Sequence, residues 1–143
     1  MSLTLILIII TCLISYRAFS DYALMDKLIL NPYKVTKRNE YYRFITSGFV
    51  HADFGHLIFN MLTLYFIGDT IERLFGMLFG PAGVYYYLFL YIVGIIVSDV
   101  PTYLKHKNNS NYNSLGASGG VSAALFAGLL FSPLRSICLY FFI

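Results

Sequence analysis

Ser118 stands between glycines in Gly116-Ala117-Ser118-Gly119-Gly120, where the polar run of residues 108–114 gives way to an apolar segment. A serine hydroxyl attacks a carbonyl when a base takes its proton and N–H groups hold the resulting oxyanion. The spacing fits the G-x-S-x-G pattern of a nucleophile elbow, but that elbow requires a preceding strand in a soluble α/β domain. Here a polar loop precedes it. The first turn of a helix offers related chemistry, because its N–H groups lack intrahelical partners and its dipole favours negative charge. A second set of polar residues lies upstream in "HADFGHLIFNMLTLYFIGDTIERLFG", with His51 just before an apolar run and His56, Asn60 and Asp69 inside it. His56 and Asn60 are four residues apart, on one helical face, and could address one point together.

The elements that must position these groups follow from composition. Of 143 residues, 58% are hydrophobic and 12% charged, with a mean hydropathy of +0.69, whereas about 25% of residues are charged in ordinary soluble domains. The expected class is all-α, a polytopic membrane bundle. Apolar runs at about 2–19, 55–73, 82–100 and 115–132 have the length needed to cross a ~30 Å hydrocarbon layer as helix, and a fifth run, 133–143, is apolar to its last residue, Ile143. The first run has no basic residue before its apolar core and no small-x-small cleavage site, so it reads as a retained span. Residues 20–54 form a membrane-associated first loop, in which Tyr22 to Leu30 suits an interfacial helix ended by Asn31-Pro32. Tyr85, Tyr86, Tyr87 and Tyr91 suggest an interfacial belt. Cys12 and Cys138 are far apart within apolar runs and read as packing residues. The net charge of +3 belongs to membrane flanks, and no basic stripe implies nucleic acid.

Polar groups inside a membrane helix are costly and point to function. Gly116, Gly120, Ala124 and Gly128 recur every four residues, a stripe along which another backbone can approach closely. Each feature alone has a plain structural reading: a serine among small residues is common in packed membrane helices, and a His–Asn pair often forms a hydrogen-bonded lock. Their conjunction, with His51 and Arg43 upstream, favours chemistry. His51, Asp53 and His56 could also cluster as metal ligands, but a metal site needs ligands in fixed geometry, and Asn60 is better explained as an oxyanion donor.

The pattern H-x-x-x-x-H-x-x-x-N of His51, His56 and Asn60, followed by G-x-S-G at Gly116 to Gly119, resembles the rhomboid family of intramembrane serine proteases. Tyr42-Arg43 is similar to the Trp-Arg pair of that family's first loop, and Glu72-Arg73 to its acidic-basic pair ending the second span. The resemblance covers roughly residues 38 to 132. It implies a six-helix core of the rhomboid type, of which residues 1–143 hold five begun spans in a single, C-terminally incomplete transmembrane domain. It implies a serine endopeptidase with a Ser–His dyad acting on membrane proteins that have a transmembrane segment. Ser118 would be the nucleophile; His56, Asn60 and the Ser118 N–H would hold the oxyanion; His51 would sit at the polar mouth. Gly116 and Gly119 would allow close approach, and Arg43 and Glu72 would hold the first loop and second span. Neither metal nor cofactor is implied.

The family takes its base histidine from the sixth span, and no histidine follows His106. The base is therefore expected beyond residue 143, and the chain ending at Ile143 is expected to be inactive. The alternative is a catalytically inactive rhomboid-like protein that binds membrane clients. Lys27, Lys34, Lys37, Arg38, Arg43, Lys105 and Lys107 fall in the first and third connections, against Arg73 and Arg135 in the second and fourth. That bias alone would put the first loop in the cytoplasm, whereas the resemblance implies a bacterial cytoplasmic membrane with the first loop and site mouth facing away from the cytoplasm, which is the expected placement. Substrate identity and oligomeric state are not encoded legibly.

Overall fold

A computed structural model describes residues 2–131; the fifth run, with Arg135 and Cys138, lies outside the described residues. The chain forms helices joined by short turns, and an isolated bridge between Leu30 and Ser114 is the one β-type pairing among the described residues.

Helix α1 (Leu3–Ser20) begins at Ser2, whose hydroxyl accepts the Leu5 N–H at 3.2 Å, as an N-cap should. Its buried residues, Thr4, Leu7, Thr11, Ser15 and Ala18, are three or four apart and so share one face. The first loop is more ordered than the sequence suggests. Asn31-Pro32 ends α2 (Tyr22–Leu28) but also starts α3 (Pro32–Arg38), because the Asn31 side chain accepts the Lys34 N–H at 2.8 Å and proline is well placed in a first turn. α4 (Arg43–Thr46) and a 3₁₀ turn (Ser47–Phe49) then lead to the second span.

That span is one continuous rod: α5 (Phe54–Thr63), a π-helical turn (Leu64–Gly68) and α6 (Asp69–Phe79). At 1.5 Å per residue it is roughly 39 Å long, enough to cross a bilayer. Gly80 at φ +57° reverses the chain, a backbone conformation costly for residues with a Cβ. α7 (Gly83–His106) returns beside it, and after the connection 107–117 α8 (Ser118–Phe131) descends again. The helices run past the expected ends 73 and 100, to Phe79 and His106, and Lys105 and His106 fall in the last turn of α7, where basic side chains can reach the headgroup layer. α8 starts later than the expected 115, because Ser114 and Gly116 are tied by backbone hydrogen bonds to Leu30 and Ser47 of the first loop.

The core is built around α7, whose Tyr87, Tyr91 and Ile95 are buried against Leu64, Ile71, Val121 and Ala124. Tyr87 and Tyr91 are thus core residues rather than an interfacial belt, while Tyr85 and Tyr86 do face outward. Leu13, Phe59, Phe89 and Leu130 are exposed on the outside, while Thr4, Thr11, Ser15 and Asn60 are buried. An apolar exterior with backbone hydrogen bonds closed inside helices is what lipid requires. Leu3–Ser20 and the stretch Phe54–His106, folded back on itself at Gly80, are long and apolar enough to cross a membrane. The molecule is a polytopic helical membrane bundle.

Candidate active site

The first loop and the connection 107–117 meet at the end of the bundle where α8 begins. Leu30 and Ser114 exchange two backbone hydrogen bonds of 3.0 and 2.9 Å. The Asn31 side-chain amide donates to the carbonyl of Ser110 and to Asn113 Oδ1 at 3.0 and 3.1 Å. Gly116, at φ +119°, donates its N–H to the Ser47 carbonyl at 2.9 Å. The chain is therefore clamped immediately before the serine.

Gly116 also explains its own identity, since a Cβ there would come 2.7 Å from His56 Cε1. The His56 ring thus lies against the backbone just ahead of Ser118. One turn along α5, Asn60 is buried and donates one amide hydrogen to the His56 carbonyl at 2.9 Å; its second amide hydrogen is available for an acceptor. Asn60 and Ser118 line a single cavity of about 590 Å³ between α5 and α8, walled by Phe59, Leu62, Ile67 and Leu125. Ser118 is exposed to this cavity as the first residue of α8, where first-turn N–H groups have no intrahelical acceptor.

His51 is not at the mouth of the site but fully buried. Its Nε2 accepts the Ala117 N–H at 3.3 Å, and its Nδ1 lies 2.9 Å from Ser15 Oγ. The Ser15 hydroxyl donates to the Phe49 carbonyl at 2.9 Å, so Nδ1 must carry the hydrogen and donate to Ser15. Both nitrogens are thereby committed to a neutral ring. Burial, and secondarily the positive charge of nearby His56, depress the His51 pKa to about 4, opposed by Asp53. Buried and doubly bonded, His51 braces Ala117, the residue before Ser118.

Gly119 and Gly120 face α7 rather than the cavity. A Cβ on Gly119 would strike Ser98 Oγ and the Gly94 carbonyl, and one on Gly120 would come 2.7 Å from the Tyr91 ring. The small-residue stripe continues through Ala124, Ala127 and Gly128, while Gly116 lies outside the helix and serves the loop. Arg43, buried, donates to the carbonyls of Asp26 and Ile29 at 2.6 and 2.7 Å and pairs with Glu40 at 2.6 Å, which ties α2 to α4. Glu72 accepts from the N–H groups of Leu3 and Thr4 and from the Thr4 hydroxyl at 2.7, 2.8 and 2.7 Å, which anchors the start of α1 to α6.

Asp53 caps α5 by accepting the His56 N–H at 2.8 Å, leaving His51 and His56 as neighbouring rings 5.0 Å apart. Among the described residues no three His, Cys, Asp or Glu side chains converge as a metal cluster. Four residues of the site escaped the sequence reading. Ser15 belongs to a buried Thr4-Thr11-Ser15 stripe that helical spacing could have exposed; Asp99, half-buried and accepting the Ser47 hydroxyl at 2.9 Å, is a carboxylate in an apolar run and carried the same signal as His56. Ser122, on the cavity wall one turn after Ser118, and Ser98 have no local signature.

The described residues thus form a helical membrane bundle in which a serine at a helix start and a buried asparagine line one apolar cavity. The Rhomboid domain model matches residues 38–143, and the chain belongs to the rhomboid family. It is 29% identical over 145 residues to RHOMBOID-like protein 12, mitochondrial, of Arabidopsis thaliana, covering 91% of this chain and 41% of that protein. RHOMBOID-like protein 4 of the same plant is 35% identical over 71% of the chain and 23% of its own length. Putative rhomboid protease YdcA of Bacillus subtilis (strain 168) is 30% identical over 66% of the chain and 43% of its own. The chain thus spans less than half the length of these relatives.

Proposed function

We propose that the whole protein is an intramembrane serine endopeptidase that cleaves membrane proteins in or near a transmembrane segment. The observation that carries this reading is the shared cavity of Asn60 and Ser118, with the His56 ring packed against Gly116 two residues before the serine. Ser118 Oγ attacks the scissile carbonyl. The free amide hydrogen of Asn60, the His56 ring and first-turn N–H groups of α8 receive the oxyanion as preorganised donors.

The Ser118 proton must go to a base. His51 is excluded by its two hydrogen bonds, and His106 is stacked on Tyr112 with ring centroids 3.5 Å apart in the connection before the serine. The base is assigned to a histidine on a sixth span, as the family resemblance implies, so the described residues supply the nucleophile and oxyanion half of the site. A bacterial cytoplasmic membrane with the site end facing away from the cytoplasm completes the reading; a topology reporter fused near Lys37 that reads cytoplasmic would overturn that orientation.

The test is covalent labelling of the whole folded protein with a fluorophosphonate or isocoumarin probe. Labelling that disappears in Ser118→Ala supports the peptidase. Folded protein that takes no label favours an inactive rhomboid-like protein that binds membrane clients.

A further inference from the structure

All seven carboxylates of the chain are engaged. Asp21 pairs with Arg17 at 3.6 Å, Asp26 with Lys34 at 2.6 Å, Glu40 with Arg43 at 2.6 Å and Asp69 with Arg73 at 2.9 Å. Asp53 caps α5, Glu72 anchors α1 and Asp99 accepts from Ser47. Among the described residues Lys27, Lys37, Arg38, Lys105 and Lys107 are left without a carboxylate partner, all exposed and all at the end of the bundle where α8 begins.

Four of these cations occupy two adjoining helix ends. Lys37 and Arg38 close α3, while Lys105 and Lys107 close α7. The two ends are tied by a hydrogen bond between the Thr36 and Tyr103 hydroxyls at 3.3 Å and by an edge-to-face contact of Phe44 and Tyr103 with centroids 5.4 Å apart. Because α7 crosses the bilayer, cations at its end lie at headgroup depth. The exposed rings of Tyr41 and Tyr42, just after α3, suit the same layer. The anions abundant at that depth are lipid phosphates, and cation clusters beside a membrane helix attract them.

We infer that the α3–α7 edge is a binding surface for the phosphate groups of anionic phospholipids, which hold the first loop against the membrane beside the site. The full chain is reconstituted in nanodiscs of phosphatidylcholine and phosphatidylglycerol, and the phosphatidylglycerol retained after detergent extraction is counted by native mass spectrometry. Wild type is expected to retain phosphatidylglycerol preferentially, and the variant Lys37→Gln, Arg38→Gln, Lys105→Gln, Lys107→Gln to retain at least about fivefold less. Arg73→Gln, at the opposite end of the bundle, should change nothing. Should the fourfold variant lose its helical circular dichroism, the pairs Lys37→Gln with Arg38→Gln and Lys105→Gln with Lys107→Gln are each expected to lower retention. Equal retention in wild type and folded variants would overturn the inference. So would displacement of the lipid by millimolar inorganic phosphate, or capture of poly-glutamate in pure phosphatidylcholine discs at physiological salt, which would assign the surface to a free anion or to an acidic protein segment.

Discussion

The Nε2 of His51 accepts the backbone N–H of Ala117 at 3.3 Å, across 66 residues of sequence. Through the same ring, Ser15 of α1 reaches the residue that precedes Ser118. The site is therefore held by the first span as well as by the second and fourth.

This bond makes stability depend on pH. His51 titrates near 4 in the fold against an ordinary 6.5, so above about pH 6.5 both folded and unfolded forms are neutral. As pH falls below that value the unfolded chain binds a proton that the folded ring refuses, and stability declines until about pH 4. The full loss is on the order of 3 kcal/mol. Thermal unfolding in detergent between pH 7 and 4 should show it, and His51→Asn should flatten the dependence while lowering stability throughout.

Glu72→Ala removes the acceptor of two N–H groups at the start of α1 and of the Thr4 hydroxyl. Hydrogen bonds to a charged acceptor contribute about 1.5–3 kcal/mol, so a loss of roughly 3 kcal/mol is expected in equilibrium unfolding. Hydrogen exchange should rise first in the opening turn of α1. An unchanged exchange pattern would contradict the anchoring role.

Gly119→Ala places a methyl group against Ser98 Oγ and the Gly94 carbonyl. Neither helix backbone can retreat without opening the α7–α8 contact, so about 1–3 kcal/mol of destabilisation follows. Gly76→Ala meets nothing nearby and serves as the control; it should be neutral or slightly stabilising in the same melt, because alanine is the better helix former.

Asp99→Ala leaves the buried Ser47 hydroxyl without its acceptor. Ser47 also receives the Gly116 N–H, so the clamp before Ser118 should loosen at a cost of about 1–3 kcal/mol. Proteolytic nicking in the connection 107–117 measures the loosening. Asp99→Asn keeps an acceptor and should restore most of the protection.

Asn60→Ala removes the amide that shares the cavity with Ser118. In the whole protein the rate of probe acylation should fall by about 10²-fold, the usual cost of one oxyanion donor, with little change in the melting temperature. An unaffected rate would remove Asn60 from the oxyanion site.

The lipid-facing character of this protein is a property of its composition, and the sequence alone determined it: long apolar runs can satisfy their backbone only as helices. Ser118, His56 and Asn60 also stand out in the sequence, because a polar residue in or beside such a run is conspicuous and helical spacing relates His56 to Asn60. Tertiary structure decided the rest. Nothing local to His51 distinguishes a residue at a water-filled mouth from a buried brace. The difference is made by Ser15 and Ala117, which approach it from 36 and 66 residues away. Gly116 and Gly119 look alike in sequence, yet one accommodates a histidine ring and the other a neighbouring helix. Spacing reveals which residues share a face, but which partner that face meets is set by how the spans pack.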